Sequence, residues 1–218
     1  MKIHSLAFAA LCCVSAGAAQ AAPIDWNTWS SNSAGTMANG VNVGYSSADG
    51  HNLVGGYPSY TPASTFADGT VVNNAPVSGN NILQIFGGTA TVNTVTFSSA
   101  VINPVMAIWS LGQGGINASF VFQNATPVFV SGGPSAEYAG NPISVVGNTV
   151  FGVEGNGTVQ FIGTYTSLSW TNPVFENWYG FNVGVAGVAN PVPEPETYAL
   201  MLAGLGVVGA IARRRQKR

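Results

Sequence analysis

Gly180-Phe181-Asn182-Val183-Gly184-Val185 sets large apolar residues at every second position, with an amide or glycine between them. A period of two predicts a strand, with Phe181, Val183 and Val185 on a buried face and Asn182 and Gly184 on a small, polar one. Working back from this stretch, short runs of the same kind recur. Val41–Tyr45, Ile82–Phe86, Thr91–Phe97, Val105–Leu111 and Ser119–Phe122 read as strands, as do Pro127–Ser131, Ile143–Val146, Thr149–Val153, Thr158–Ile162 and Thr166–Trp170. Turn signals separate them: Asp49-Gly50, Pro58, Pro62 and Asp68-Gly69, a hairpin at Gly87-Gly88, and a tight turn at Gly155-Asn156-Gly157. No window of a dozen residues between them carries a 3.6-residue apolar period. About eleven or twelve short strands at such spacing predict an all-β fold, an antiparallel, jelly-roll-like β-sandwich.

The two ends fall outside that domain. Met1 to Ala21 has Lys2, an apolar run from Leu6 to Val14 and Ala19-Gln20-Ala21, which is the pattern of a secretory signal peptide cut between Ala21 and Ala22. Cys12 and Cys13 both fall within it, and Leu11 stands where a lipobox wants a small residue. The expected division is a signal peptide over 1–21, a β-sandwich domain over 22–187, a linker over 188–191 and a C-terminal segment over 192–218.

Between Ala22 and Pro191 there is no cysteine, lysine or arginine; the charges are Asp25, Asp49, Asp68, Glu137, Glu154 and Glu176, and the one histidine is His51. Nucleic acid is excluded as a partner, because phosphate binding needs cations to displace counterions. Arginine clamps for nucleotides or carboxylates are excluded too. Stability must come from apolar burial and backbone ladders, with neither disulfides nor lysine or arginine ion pairs to help.

The C-terminal segment has three parts: Val192-Pro193-Glu194-Pro195-Glu196, an apolar stretch from Tyr198 to Ala212, and the basic Arg213-Arg214-Arg215-Gln216-Lys217-Arg218. A helix over the fifteen residues from Tyr198 to Ala212 would be roughly 22 Å long, short of the roughly 20 residues of a full span. The basic tail, Arg213, Arg214, Arg215, Lys217 and Arg218, predicts that this end stays cytoplasmic. Two prolines hold the preceding motif extended and accessible. The order of motif, hydrophobic helix and arginine cluster resembles the sorting signal of PEP-CTERM proteins of Gram-negative bacteria. That resemblance implies export by signal peptidase, transient anchoring in the inner membrane, and processing by exosortase at or beside Val192–Glu196. It further implies delivery to the cell surface or extracellular matrix. A second likeness, over Gly155–Phe161, Ser169–Pro173 and Glu176–Phe181, is to the closing block of many short exported PEP-CTERM proteins, and brings no activity with it.

Candidate chemistry is sparse. Trp170, Glu176, Trp178 and Tyr179 form the densest polar-aromatic cluster, and stacked rings beside a carboxylate are a way to hold polysaccharide; the same residues equally suit a sandwich core. Glu154 and Glu176 could be the acid and base of a glycosidase, although six acids scattered among turns offer a chance pair easily. Asp49-Gly50-His51-Asn52 and Asp68-Gly69 offer oxygens to calcium, but Asp-Gly is first a turn signal and neither segment has the spacing of a calcium loop. His51 has no nucleophile elbow to serve. Gly112-Gln113-Gly114-Gly115 lacks the lysine of a phosphate-binding loop. Asn117, Asn124 and Asn156 head N-glycosylation sequons. The expectation is a non-enzymatic exported protein, structural or adhesive in biofilm or exopolysaccharide, with no cofactor and no metal. A carbohydrate-binding module is the alternative, and a glycosidase the next.

Overall fold

Tyr179–Val185 lies near the middle of a sheet, and every one of its residues is buried. In this computed structural model, which describes residues 23–188 together with Gly204 and Leu205, the strands build two sheets packed face to face. The first runs β10 (Pro127–Gly132), β14 (Gly155–Phe161), β8 (Val105–Leu111), β16 (Tyr179–Val185), β6 (Ile82–Ile85) and β5 (His51–Val54). To it β1 (Asp25–Trp26) adds beside β16, and β11 (Asn141–Pro142) adds in parallel to β14. The second runs β12 (Ser144–Val146), β13 (Thr149–Gly152), β9 (Ala118–Phe122), β15 (Thr164–Thr171), β7 (Asn93–Ile102), β4 (Asn42–Ser46), β3 (Ala34–Thr36) and β2 (Thr28–Trp29). A two-residue β17 (Gly187–Val188) pairs with β7, so the ladder reaches Val188, where the sequence suggests a linker. The expected antiparallel sandwich is what forms.

Two hydrophobic layers hold it. Phe181, Val183 and Val185 point between the sheets, where they meet Trp29, Tyr45, Val95, Phe120, Phe122 and Trp170. Phe181 packs edge-on against Trp170 with ring centroids 5.1 Å apart. Each such side chain contributes about 1.5–3 kcal/mol by leaving water. The second layer covers the small, polar face of β16 as well. Ile24, Trp26, Tyr60, Phe66 and Val72 roof the outer face of the first sheet, over Val105, Ala107 and Trp109. The small residues of β16 are there to admit that roof: a Cβ on Gly184 would stand 2.5 Å from Ile24 Cγ2 and 2.8 Å from Trp26 Cε3. Asn182 beside it donates from Nδ2 to the Asn27 carbonyl at 2.9 Å. The roof includes α1 (Ala63–Phe66), whose Phe66 carbonyl accepts from Thr158 Oγ1 at 2.8 Å.

Two turn readings are also corrected. Gly87-Gly88 is a crossing between sheets, not a hairpin, because β6 belongs to the first sheet and β7 to the second. Its amides donate outward, Gly87 to Glu176 O at 2.9 Å and Gly88 to Asn172 O at 2.8 Å. Gly155-Asn156-Gly157 is the start of β14 and not a tight turn, with Asn156 fully buried. Seventeen strands form among the described residues, more than the eleven or twelve expected. The surplus is made of two- and three-residue pieces such as β1, β2, β3, β11 and β17, too short to carry a period of two.

Candidate functional site

The pairing of β8 with β14 is broken by one extra residue. Ile108 opposes Gly157 and Leu111 opposes Gly155, which leaves Trp109 and Ser110 opposite Asn156 alone. This is a β-bulge, a device that re-aims side chains at the rim of a sheet. Asn156 fixes it: Oδ1 accepts from the Ser110 amide at 2.8 Å, and Nδ2 donates to the carbonyls of Ala139 at 3.1 Å and Glu154 at 3.2 Å. Ser110 and Glu154 both take left-handed backbone angles, φ 55° and 51°, a conformation that costs side-chain-bearing residues energy and so needs its surroundings to hold it. The result turns the Ser110 hydroxyl onto Glu154, where it donates to Oε2 at 2.8 Å. From the other side, the Gly87 and Gly88 amides tie down the loop from Asn172 to Glu176.

These pieces enclose a cleft of about 160 Å³ lined by Ser110, Gly112, Gln113, Tyr138, Glu154, Glu176 and Trp178. Glu176 is 4 % exposed. Its Oε1 accepts from the Trp178 amide at 2.7 Å, whereas no donor reaches buried Oε2 with hydrogen-bonding geometry. Burial is the main force raising the Glu176 carboxyl above the ordinary carboxylate range, and the negative charge of Glu154 adds to it; the amides of Trp178, Asn177 and Gly112 pull the other way. Aromatic rings form the rim. Trp178 Nε1 donates to the Tyr138 hydroxyl at 2.9 Å, and Trp109 lies with ring centroids 5.1 Å from both Tyr138 and Tyr57. Behind them Trp109 Nε1 donates to Glu137 Oε2 at 3.3 Å. Tyr138 is 46 % exposed, and Trp178 and Tyr57 are half-buried.

The residues singled out in the sequence are therefore divided. Trp170 and Tyr179 are interior side chains between the sheets, and neither presents a ring to solvent. Glu176 and Trp178 do share one cleft, and Glu154 joins them there. Ser110, Tyr138 and Tyr57 were not found by sequence reasoning; only the acid-aromatic pair Glu137-Tyr138 in a loop hints at them. Gly112-Gln113 contributes to the cleft as a loop, with Gly112 at φ 76°. Asp49 accepts from the Thr89 and Thr91 hydroxyls and so ties two distant segments together, whereas Asp68 accepts from the amides of Thr70, Val71 and Val72 and the Thr70 hydroxyl and so locks its own turn. His51 packs edge-on against Tyr45. The sequon asparagine Asn156 is spent on the bulge.

A cleft of about 160 Å³ is well below the roughly 300–1,000 Å³ of ordinary small-molecule pockets. It suits an ion or a few waters, with anything sugar-sized lying across the aromatic rim. No group of three or more histidine, cysteine, aspartate or glutamate side chains gathers at a common point among the described residues. Likewise no helix among them is long and apolar enough to cross a membrane. The signal-peptide cleavage residues Ala21 and Ala22, the motif Val192 to Glu196 and the basic tail lie outside the described residues. So does the apolar segment Tyr198 to Ala212, except for Gly204 and Leu205, which are helical.

No curated protein and no solved structure matches the chain. Residues 191–216 match the family described as the PEP-CTERM protein-sorting motif. That match coincides with the three-part C-terminal segment, and exosortase is the enzyme that reads such a motif. The chain thus carries a PEP-CTERM sorting motif, which implies exosortase as its processing partner, export, and transient anchoring in a membrane before sorting.

Proposed function

We propose that the β-sandwich is a non-enzymatic surface or extracellular-matrix domain that adheres to polysaccharide through its aromatic rim. The observation that carries this reading is the exposed Tyr138, hydrogen-bonded to Trp178 and backed by Trp109 and Tyr57. Flat aromatic faces stack on the apolar faces of sugar rings, and the phenol and indole groups keep polar handles at the same place. A domain without lysine or arginine suits neutral or cation-bridged glycans rather than direct charge pairing with acidic ones.

Affinity electrophoresis tests this: the exported protein is run in gels with and without the extracellular polysaccharide of the producing cell. Retardation in the glycan gel is expected, and Trp178→Ala and Tyr138→Ala are each expected to weaken binding up to about tenfold. Equal mobility in both gels, or retardation unchanged in both variants, would refute the reading. Release of new reducing ends from the polysaccharide would move the assignment to a hydrolase using Glu154 and Glu176, the second reading that their shared cleft favours.

A further inference from the structure

The cleft behind the aromatic rim carries an unmet demand. Glu154 and Glu176 both face it, and the described domain has no lysine or arginine to offset them. Glu176 is 4 % exposed, and its Oε2 is buried with no hydrogen-bond partner. The other buried polar side-chain atoms without a partner among the described residues are neutral: the Asn27 amide, Trp29 Nε1, Ser131 Oγ and the Tyr179 hydroxyl. An ionised carboxylate left so would carry a large desolvation cost. Protonation is one way a buried carboxyl lowers that cost, and pairing with a cation is the other. A cation in the cleft would offset both carboxylates at once.

We propose that the cleft is a calcium-binding site, with Glu154 and Glu176 as its anionic ligands and Ser110 and Gln113 as further oxygen donors. The donor set decides the ion. Every available ligand is a hard oxygen, with no imidazole or thiolate at hand, which selects calcium or magnesium over zinc or copper. Calcium tolerates a partly hydrated, irregular shell of six to eight oxygens, whereas magnesium holds to a strict octahedron and dehydrates reluctantly. The Ser110 hydroxyl gives its proton to Glu154 Oε2 and keeps its lone pairs free. The volume of about 160 Å³ holds an ion and several waters. Two carboxylates place the affinity with extracellular modules, at a dissociation constant of about 10⁻⁴ to 10⁻³ M. The glycan reading does not enter this argument, and the test below contains no glycan, so either can fail alone.

The exported protein, stripped with EDTA and dialysed, is melted with and without about 10 mM calcium chloride. A ligand that binds only the folded state raises Tm, here by at least about 3 °C. Sodium chloride at matched ionic strength controls for screening. Glu154→Gln and Glu176→Gln, which keep side-chain size, are expected to lose the rise, while Asp68→Asn in an exposed turn keeps it. Equilibrium dialysis is expected to give one calcium per chain. Should the cleft variants not fold, terbium on the wild type decides: emission sensitised by Trp178 at the cleft and quenched by added calcium supports the site. No sensitised emission, the same Tm rise in sodium chloride, or a rise retained in both glutamine variants would each overturn it.

Discussion

Asn156→Ala tests whether one buried amide holds the cleft together. The side chain is fully buried. Its removal leaves the Ser110 N–H, itself in a residue 3 % exposed, without its 2.8 Å acceptor. An orphaned buried donor costs about 1–3 kcal/mol. The carbonyls of Ala139 and Glu154 lose less, because each keeps a backbone donor, from Ser135 and Asn141 respectively. Gly133 O loses a long 3.4 Å contact. With a small void added, the total is about 3 kcal/mol, or a fall of about 6–12 °C in Tm for a domain of this size. Urea unfolding followed by tryptophan fluorescence measures it. Asn148→Ala is the matched comparison: Asn148 is exposed and donates one bond, to Phe122 O at 2.6 Å, so its loss is expected within about 1 kcal/mol. Asn156→Asp keeps the shape but turns a carboxylate toward carbonyl oxygens, and is expected to cost more at pH 7 than at pH 4. An Asn156→Ala domain within about 1 kcal/mol of wild type would refute the reasoning, since the bulge would then be held by β-pairing alone.

Gly184→Val places branched carbons where a single Cβ already stands 2.5 Å from Ile24 Cγ2; overpacking of about 1–3 kcal/mol is expected, read as a lower urea midpoint with unchanged slope. Acid behaviour follows from two carboxyls. Burial alone would raise Asp68 and Glu137, but hydrogen bonds outweigh it, from Thr70, Val71 and Val72 onto Asp68 and from Ser59 and Trp109 onto Glu137, so both titrate below the usual carboxylate range. A depressed folded-state pKa gives stability that is present above the unfolded value of about 4 and lost as pH falls through the folded one. Tm measured from about pH 5 down to about pH 2 is expected to fall less in Asp68→Asn and Glu137→Gln than in wild type.

The sandwich was legible because β7, β8, β15 and β16 are long enough to show a period of two or an unbroken apolar run. The outer roof was not. It is made by Ile24, Trp26, Tyr60, Phe66 and Val72, scattered over irregular chain with no period to read. Asn182 and Gly184 read only as a small, polar face, because such residues serve water and a close roof equally well. The cleft was half legible. Glu154 and Glu176 stood out as two of only six acids between Ala22 and Pro191, but their meeting depends on the Gly87-Gly88 crossing and on the bulge at Ser110. A bulge is a difference in count between two strands, and no single strand's sequence contains it.

The missing cations give the surviving acids a common grammar. Asp25 accepts from the Ala38 and Asn39 amides, Asp49 from Thr89 and Thr91, Asp68 from its own turn, and Glu137 from the Ser59 amide and Trp109. Each of these four uses both oxygens, Asp68 within its own turn and the other three to tie distant segments together, doing with neutral donors what ion pairs do elsewhere. Because the donors are uncharged amides, hydroxyls and an indole, these short charge–dipole ties lose less to salt than exposed charge pairs do. Glu176 departs from the pattern: one oxygen is tied to Trp178 and the other is buried and bare. In a domain that satisfies Asp25, Asp49, Asp68 and Glu137 from within, Glu176 keeps one buried oxygen without a hydrogen-bond partner, and it shares its cleft with a second carboxylate, Glu154. Its place at the foot of the aromatic rim makes it the point where the exported domain meets something supplied by its surroundings.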